Sequence, residues 1–147
     1  MASKWSRFLA LEAEERRLFL AALAWLPVVR IGLRLAGYRQ MQRLLVKNGF
    51  AQASRDPDQI EAAQRVGRII NLAAGRRAIQ ATCLSRSLLT WWFLWRRGIE
   101  STVVFGVPVA GQTFTAHAWI EVSGTVVNDA PDVRERFGVL ETASPTN

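Results

Sequence analysis

The stretch TCLSRSLLTWWFLWRRG, residues 82–98, decides the fold of this chain. Its leucines, tryptophans and phenylalanine leave almost no polar side for a helix to expose. A helix that is apolar on nearly all sides is buried in a protein core. Thr82 is a typical N-cap, and Gly98 is a typical stop signal. We therefore expect a central buried helix whose first turn carries the only cysteine of the chain, Cys83.

Helical patterns also fill the chain before this helix. Residues 11–26 carry apolar side chains at helical spacing, and Pro27 is expected to end or kink that helix. Asp56 is expected to cap a later helix, with Pro57 in its first position. That later helix is expected to end near Gly75. Two more helical segments are predicted between these helices: residues 28–36, which end at Gly37, and residues 38–47, which end before Asn48-Gly49.

The chain after the buried helix changes to short segments rich in β-branched residues. Residues 101–107, 113–122 and 125–129 are predicted strands, and Ser123-Gly124 is the predicted turn between the last two. A loop over residues 106–112 separates the first two strands. Helices followed by an antiparallel sheet make an α+β fold.

The charges of the chain are unevenly distributed. Residues 1–80 hold 14 Lys and Arg against 6 Asp and Glu, whereas residues 81–147 hold 5 against 6. We therefore expect a basic helical region over residues 1–80 and a core region over residues 81–147. A basic surface attracts nucleic acid, anionic lipid or an acidic peptide, and the simpler alternative is a solvated arginine-rich surface.

Composition limits the classes of protein and of site. Half of the residues are apolar, so the chain can bury a core and lacks the profile of disorder. A lone cysteine cannot form an internal disulfide, which favours a reducing cytoplasm. One cysteine and one histidine give little from which to build a zinc site, so no metal is expected.

The most apolar run covers residues 18–29. It is shorter than the stretch of about 20 residues that crosses a bilayer. Acidic residues precede it and no small-residue cleavage site follows it, which argues against a signal peptide. We expect a buried helix and no transmembrane span, with transient membrane contact as a minor alternative.

Three residues are candidates for chemistry, and each has a simpler alternative. Cys83 lies at a helix start, where free N–H groups and the helix dipole stabilise a reactive thiolate; otherwise it is a small buried apolar residue. His117 is the only histidine and suits a general base, or else is a structural histidine beside Trp119. Asp129 could hold the imidazole, or else is an ordinary turn residue.

The parity of the strands gives a test of this grouping. Opposed residues of a hairpin share a face, and faces alternate along each strand. A two-residue Ser123-Gly124 loop pairs Val122 with Thr125 and puts Asp129 on the face away from His117. The grouping therefore predicts an odd-length loop or a bulge, and a tight two-residue turn counts against it.

The order of these residues is that of papain-like and transglutaminase-like enzymes, and the surrounding motifs are more specific. CLSRSL at residues 83–88, followed by RRG at 96–98, resembles the "CLxRSL…RRG" segment of the lasso-peptide leader peptidases. FTAHAWIEV at residues 114–122 resembles their "fxAHAWvEv" strand, and Gly124 to Asp129 their "G…xnd" segment. FGV at residues 105–107 is similar to their "iGV" strand end.

This resemblance implies a transglutaminase-like fold, a catalytic core over residues 81–147 and a catalytic triad of Cys83, His117 and Asp129. It implies a hydrolase that cuts the bond between leader and core in a ribosomally made precursor. The implied partners are the precursor, a separate leader-binding protein and an ATP-dependent macrolactam cyclase; no cofactor is implied.

Other residues have less defined roles. Trp119 shares a strand face with His117 and could line a substrate groove, whereas the tryptophans of the buried helix belong to the core. Arg86 could contact the partner or pair with a core carboxylate. Gln80 could donate its amide to an oxyanion, although an exposed loop glutamine is the simpler interpretation.

Three other functions remain open at this point. An acyl transferase of the same fold would use the same three residues with an amine acceptor instead of water. A non-enzymatic basic module would bind RNA, DNA or a membrane, and a purely structural partner would need neither Cys83 nor His117. No nucleic-acid signature supports the second, because the aromatic residues lie in apolar runs and are not interleaved with basic ones.

Overall fold

The computed structural model describes residues 4–47, 57–76, 78–109 and 115–143. Helices come first and an antiparallel sheet follows, which confirms the α+β prediction. In chain order the elements are α1 (Lys4–Leu9), α2 (Ala13–Ala36), α3 (Tyr38–Lys47), α4 (Gln59–Ala74), α5 (Cys83–Arg96), β1 (Thr102–Pro108), β2 (His117–Val122), β3 (Thr125–Val126), α6 (Val133–Arg136) and β4 (Phe137–Ala143).

The long helix α2 continues through Pro27, which does not end it. An internal proline costs about 3 kcal/mol, and the tertiary packing of Leu26 and Val29, both fully buried, offsets that cost. Gly37, with φ +80°, ends the helix as predicted. By length and composition alone α2 is long and apolar enough to cross a membrane, because the helix extends beyond residues 18–29 at both ends. One side of it nevertheless packs into the protein core.

The two following helices match the predicted segments except at one cap. The helix over residues 38–47 is confirmed as α3. Asp58, and not the predicted Asp56, caps α4, because its carboxylate accepts the N–H of Glu61 at 3.0 Å. Asp56 lies outside the described residues, and Pro57 precedes the helix. The predicted end of α4 near Gly75 is confirmed.

The buried helix α5 is the centre of the molecule, as its composition predicts. Eight consecutive residues, Ser87 to Leu94, are buried. Thr82 caps its start: the hydroxyl accepts the N–H of Ser85 at 3.1 Å, and Ser85 accepts the N–H of Thr82 in return. Trp92 donates its indole N–H to the carbonyl of Leu45 at 2.9 Å, which ties α5 to α3.

The four strands form one antiparallel sheet in the order β3-β2-β1-β4. Val103 and Ile120 face α2, α4 and α5 and belong to the main hydrophobic core. Val104 and Trp119 face the other side, where Val133 of α6 covers them. The main core contains residues from both sides of position 80, so the predicted regions 1–80 and 81–147 share one core.

All three predicted strands differ from the structure at a boundary. β1 extends to Pro108, so it includes the first residues assigned to the 106–112 loop. Among the described residues β2 begins at His117, which therefore lies at the end of the strand and not in its middle; residues 113 and 114 lie outside the described chain. β3 contains only Thr125 and Val126.

Candidate active site

Cys83 is the first residue of α5 and is partly exposed. The cap at Thr82 takes up the N–H of Ser85, and the carbonyl of Thr82 accepts the N–H of Arg86. The N–H groups of Cys83 and Leu84 have no intrahelical acceptor at this position. The thiol therefore lies beside free backbone donors at the positive end of the helix dipole.

His117 and Asp129 are in direct contact. Nε2 of the imidazole lies 2.5 Å from Oδ2 of the carboxylate, and both side chains are about one-fifth exposed. The other carboxylate oxygen accepts the N–H of Ala130 at 2.7 Å, which fixes the rotation of the Asp129 side chain. With Nε2 facing the carboxylate, Nδ1 of His117 is the nitrogen left for a thiol proton.

The hairpin between β2 and β3 has a tight two-residue turn, the geometry that strand parity predicts would keep His117 and Asp129 apart. Val122 pairs with Thr125 and Glu121 with Val126, so the loop is two residues long. Ser123 and Gly124 have φ +50° and +79°, as a type I′ turn requires. The predicted odd-length loop is therefore wrong, yet His117 and Asp129 meet.

Asn128 explains how they meet, because it ends the ladder before Asp129. Val127 still donates its N–H to the carbonyl of Ile120 at 3.0 Å. The N–H of Ile120, however, donates to the side-chain Oδ1 of Asn128 at 2.7 Å and not to a backbone carbonyl. The chain leaves the strand there, so strand parity no longer applies to Asp129.

The same asparagine joins the sheet to the helix that carries Cys83. Its Nδ2 donates to the hydroxyl of Ser87 at 3.1 Å, and that hydroxyl donates to the carbonyl of Ala118 at 3.0 Å. The side chains of Ser87 and Asn128 are both buried. We call Ser87, Asn128 and Asn71, whose Nδ2 donates to the carbonyl of Asn128 at 2.7 Å, the asparagine clip.

The asparagine clip aligns the start of α5 with the start of β2. Ser87 lies one helical turn after Cys83 on the same side of the helix. Its acceptor, Ala118, is the residue after His117. The bond from Ser87 to Ala118 thus holds the helix that carries Cys83 against the strand that carries His117. No hydrogen bond joins the Cys83 thiol to His117 in the described part of the chain.

Two further contacts complete this alignment. Gly67 of α4 lies so close to the carbonyl of Val127 that a Cβ there would be 2.2 Å from the oxygen. Arg86 donates to Oδ1 of Asn71 at 3.3 Å, so its partner is an amide of the asparagine clip and not a core carboxylate.

An aromatic layer lies behind the imidazole. The ring of Phe137 stacks on His117 with centroids 4.6 Å apart, and Trp119 lies 6.0 Å from His117. Trp119 packs against Gly106, where a Cβ would approach the indole to 2.9 Å. Since Trp119 is fully buried, its side chain supports the histidine from within and offers no open surface to a substrate.

A charged cluster continues this layer. Glu121 is buried, accepts the indole N–H of Trp119 at 2.8 Å and forms two bonds of 2.6 Å with Arg134. The hydrogen bond from Arg134 is the main cause that lowers the pKa of Glu121, against the opposing effect of burial. We call Trp119, Glu121 and Arg134 the glutamate cluster. Arg136, two residues after Arg134, lies 3.8 Å from Oδ1 of Asp129, the oxygen that also accepts the N–H of Ala130.

Gln80 lies upstream of Cys83 on the exposed surface. Its φ of +49° is unusual for a residue with a side chain. Its Oε1 accepts a hydrogen bond from Arg30 at 3.1 Å, which leaves the amide N–H groups directed elsewhere. Arg30 also lines a shallow cavity of about 330 Å³ with Thr82 and Leu84, the two neighbours of Cys83. The described residues contain no group of three His, Cys, Asp or Glu that could hold a metal ion.

Comparison with known proteins identifies the family. The model of the transglutaminase-like superfamily matches residues 25–142. The chain belongs to the transglutaminase-like superfamily. The family match spans both predicted regions, and it confirms the fold that the resemblance implied.

One curated relative extends this result. The microcin J25-processing protein McjB of Escherichia coli is 38% identical over 61 residues, which are 42% of this chain and 28% of that protein. The matched segment thus spans less than a third of the relative's length. No solved structure matches the transglutaminase-like chain described here.

The residues that position the candidate site were not predicted from the sequence, although Asn128 and Ser87 lie within the quoted motifs. One signal was present: Asn128 directly precedes Asp129, where a polar side chain can replace a strand acceptor. Phe137 and Arg134 carried no local signal, since only the fold brings them to β2.

Proposed function

We propose that this protein is a cysteine peptidase that removes the leader from a lasso-peptide precursor, with Cys83 as nucleophile. One observation carries the proposal: the 2.5 Å contact between His117 Nε2 and Asp129, next to the residue of β2 that α5, the helix that begins with the only cysteine, bonds through Ser87. A nucleophile, a base and a group that orients the base are the components of covalent acyl transfer.

The first step follows from which imidazole nitrogen is occupied. The Nε2–H of His117 donates a hydrogen bond to Asp129, which leaves the lone pair of Nδ1 for the thiol. Nδ1 therefore takes the proton of the Cys83 thiol. The thiolate attacks the carbonyl of the last leader residue, a C–S bond forms and the carbonyl becomes an oxyanion. The N–H groups of Cys83 and Leu84 are the available donors for that oxyanion.

The second step releases the two halves of the precursor. The oxyanion collapses, the C–N bond breaks and imidazolium at His117 gives its proton to the amine of the core peptide. Water, deprotonated by His117, then attacks the thioester and releases the leader as an acid. Asp129 stabilises the imidazolium formed in both halves of the cycle.

The comparisons support the substrate class. The relative's name describes a protein that processes microcin J25, and the matching segment is 38% identical. Together with the motifs around Cys83 and His117, this favours precursor processing over other acyl transfer on the same fold. Only 28% of that relative is matched, so the support comes from the matched segment alone.

The basic helical region is proposed to meet the partners, which are a leader-binding protein and the ATP-dependent cyclase, in the cytoplasm. Two features support a partner surface there. Arg30 and Arg34 line the cavity next to Cys83. The outer side of α2 also exposes apolar side chains, which on a monomer often mark a contact surface. These are Leu20, Val28, Ile31 and Leu35.

Mass spectrometry of a candidate precursor, incubated with this protein and the leader-binding partner, tests the proposal. We expect a single cut at the leader–core junction that is lost in Cys83→Ala. Asp132→Ala, which removes an exposed carboxylate three residues after Asp129, is the matched control and should leave cleavage intact.

Three outcomes have distinct meanings. Cleavage that survives Cys83→Ala removes Cys83 from the mechanism. A covalent adduct of the leader with an added amine, without hydrolysis, favours an acyl transferase. No reaction with folded protein and bound partner contradicts the peptidase assignment.

A further inference from the structure

A second cleft lies away from Cys83, between α3 and the edge strand β4. Its volume is about 910 Å³. Trp91 of α5 and Phe105 of β1 are among the residues at its base, and Tyr38 packs edge-on against Phe105 with centroids 5.5 Å apart. We call this cleft the α3–β4 groove. A cleft of this size suits a ligand larger than a single ion.

The charges of the groove are mostly positive. Arg39, Arg43 and Lys47 line it from one side of α3, at intervals of four residues. None of the three forms an ion pair within the described residues. Glu141 is the one acidic residue in the lining. An anionic ligand would therefore meet unpaired cations on one wall.

Two buried polar groups of the groove have no hydrogen-bond partner in the part of the chain that the structure describes. Both the hydroxyl of Tyr38 and the indole N–H of Trp91 are buried without a hydrogen bond, and both residues line the groove. Trp91 is fully buried, so water does not satisfy its donor. Burial and the nearby Glu141 raise the pKa of Tyr38 to about 12, so its hydroxyl stays protonated at neutral pH. Unpaired buried donors are costly, and a ligand acceptor would remove that cost.

The opposite wall is a strand edge. β4 has β1 on one side and no strand on the other among the described residues. The strand is bulged at Leu140, and the segment beyond the bulge, residues 141–143, lines the groove. A free strand edge offers alternating N–H and C=O groups, which pair with an extended peptide and not with a phosphate backbone.

We propose that the α3–β4 groove binds an extended acidic segment of peptide chain. Such a segment would satisfy the edge of β4, the Tyr38 hydroxyl and the three cations together. A nucleic acid fits less well, because the aromatic rings are buried or edge-packed and offer no stacking face. Resting on the proposed function, the segment belongs to the precursor's leader and holds it while the junction reaches Cys83.

Fluorescence anisotropy with a labelled decapeptide of alternating glutamate and leucine tests the groove. The full-length protein should bind it saturably, and a peptide with lysine in place of glutamate at least tenfold more weakly. Arg43→Glu should weaken binding of the glutamate peptide at least tenfold. Arg17→Glu, the same charge change at an exposed site on α2, should change it less than twofold.

Tyr38→Phe separates ligand binding from folding. Removing an unpaired hydroxyl should leave the melting temperature unchanged or higher, while peptide affinity falls about threefold or more. Equal losses in Arg43→Glu and Arg17→Glu would overturn the groove as a specific site. Unaltered affinity in both Arg43→Glu and Tyr38→Phe would do the same.

The groove and the peptidase assignment can fail independently. Cys83→Ala should bind the decapeptide as tightly as the wild type, whether or not the wild type cleaves a precursor. Normal cleavage with no groove binding would remove this inference and leave the peptidase assignment. Tighter, Arg43-dependent binding of a ten-nucleotide single-stranded DNA would assign the groove to nucleic acid.

Discussion

The asparagine clip and the glutamate cluster lie on opposite faces of β2 and support the same pair, His117 and Asp129. The asparagine clip is uncharged, and its residues at Ser87 and Asn128 are buried. The glutamate cluster is charged and is closed by Arg134, whose side chain is 52% exposed. The asparagine clip sets where Asp129 lies, because Asn128 ends the strand before it. The glutamate cluster holds the aromatic rings that pack on the imidazole of His117.

The largest effect should follow from breaking the asparagine clip. Asn128→Ala removes the acceptor of the Ile120 N–H and the donor to Ser87. Asp129 is then free to move, and a misplacement of about 1 Å costs on the order of 100-fold in rate. We expect kcat for precursor cleavage to fall by about that factor while KM changes little.

A double variant distinguishes positioning from simple loss of stability. If Asn128 acts through Asp129, Asn128→Ala with Asp129→Ala should be no slower than Asp129→Ala alone. Circular dichroism at the assay temperature checks that each variant is folded. A folded Asn128→Ala protein with kcat within threefold of the wild type would contradict the role of the asparagine clip.

A second prediction concerns the close contact between α4 and the end of β3. Gly to Ala inside a helix normally stabilises it by about 1 kcal/mol. At Gly67 the new methyl would meet the carbonyl of Val127 at 2.2 Å, a backbone atom that cannot turn aside. We expect Gly67→Ala to lower the free energy of unfolding in urea by about 1–3 kcal/mol.

The matched control for this substitution is Gly75→Ala. A Cβ at Gly75 would meet its nearest atoms at 3.6 Å, which is ordinary contact. That variant should be close to neutral. Equal stability of the two variants would mean that the end of β3 can shift without cost.

The glutamate cluster should respond to pH, unlike the asparagine clip. Arg134 lowers the folded-state pKa of Glu121 below its ordinary value of 4.5. The linked stabilisation is fully present above pH 4.5 and is lost as the pH falls through the folded-state pKa. Arg134→Ala should therefore be less stable than the wild type at pH 7, and the difference should shrink below pH 4.5.

Thermal unfolding from pH 3 to pH 8 measures this difference. Arg65→Ala is the control, since both partners of its 3.9 Å pair with Glu61 are exposed and the pair contributes little. A pH-independent difference between Arg134→Ala and the wild type would show that the ion pair with Glu121 is not the source of the stability.

The sequence predicts the elements well and the alignment between them poorly. The composition of residues 82–98 was enough for α5, because a helix with no polar side has few alternatives. Strand parity describes the residues beside the Ser123-Gly124 turn correctly. It does not extend to Asp129, since β3 ends at Val126. The side chains that replace the strand, Ser87 and Asn128, come from two distant segments, and only the fold brings them together.

The smallest effect on kcat is expected at the Ser123-Gly124 turn, although strand parity alone would make this turn the feature that positions Asp129. Gly124 has φ +79° and open space around its Cβ position, so Gly124→Ala costs only backbone strain, about 1 kcal/mol. Gly138→Ala, where a Cβ would make only ordinary contacts at 3.9 Å and φ is not positive, should cost nothing measurable. Because the asparagine clip and not the turn sets Asp129, kcat of Gly124→Ala should stay within twofold of the wild type. A loss of kcat comparable to that of Asn128→Ala would show that the hairpin turn, and not the asparagine clip, positions Asp129.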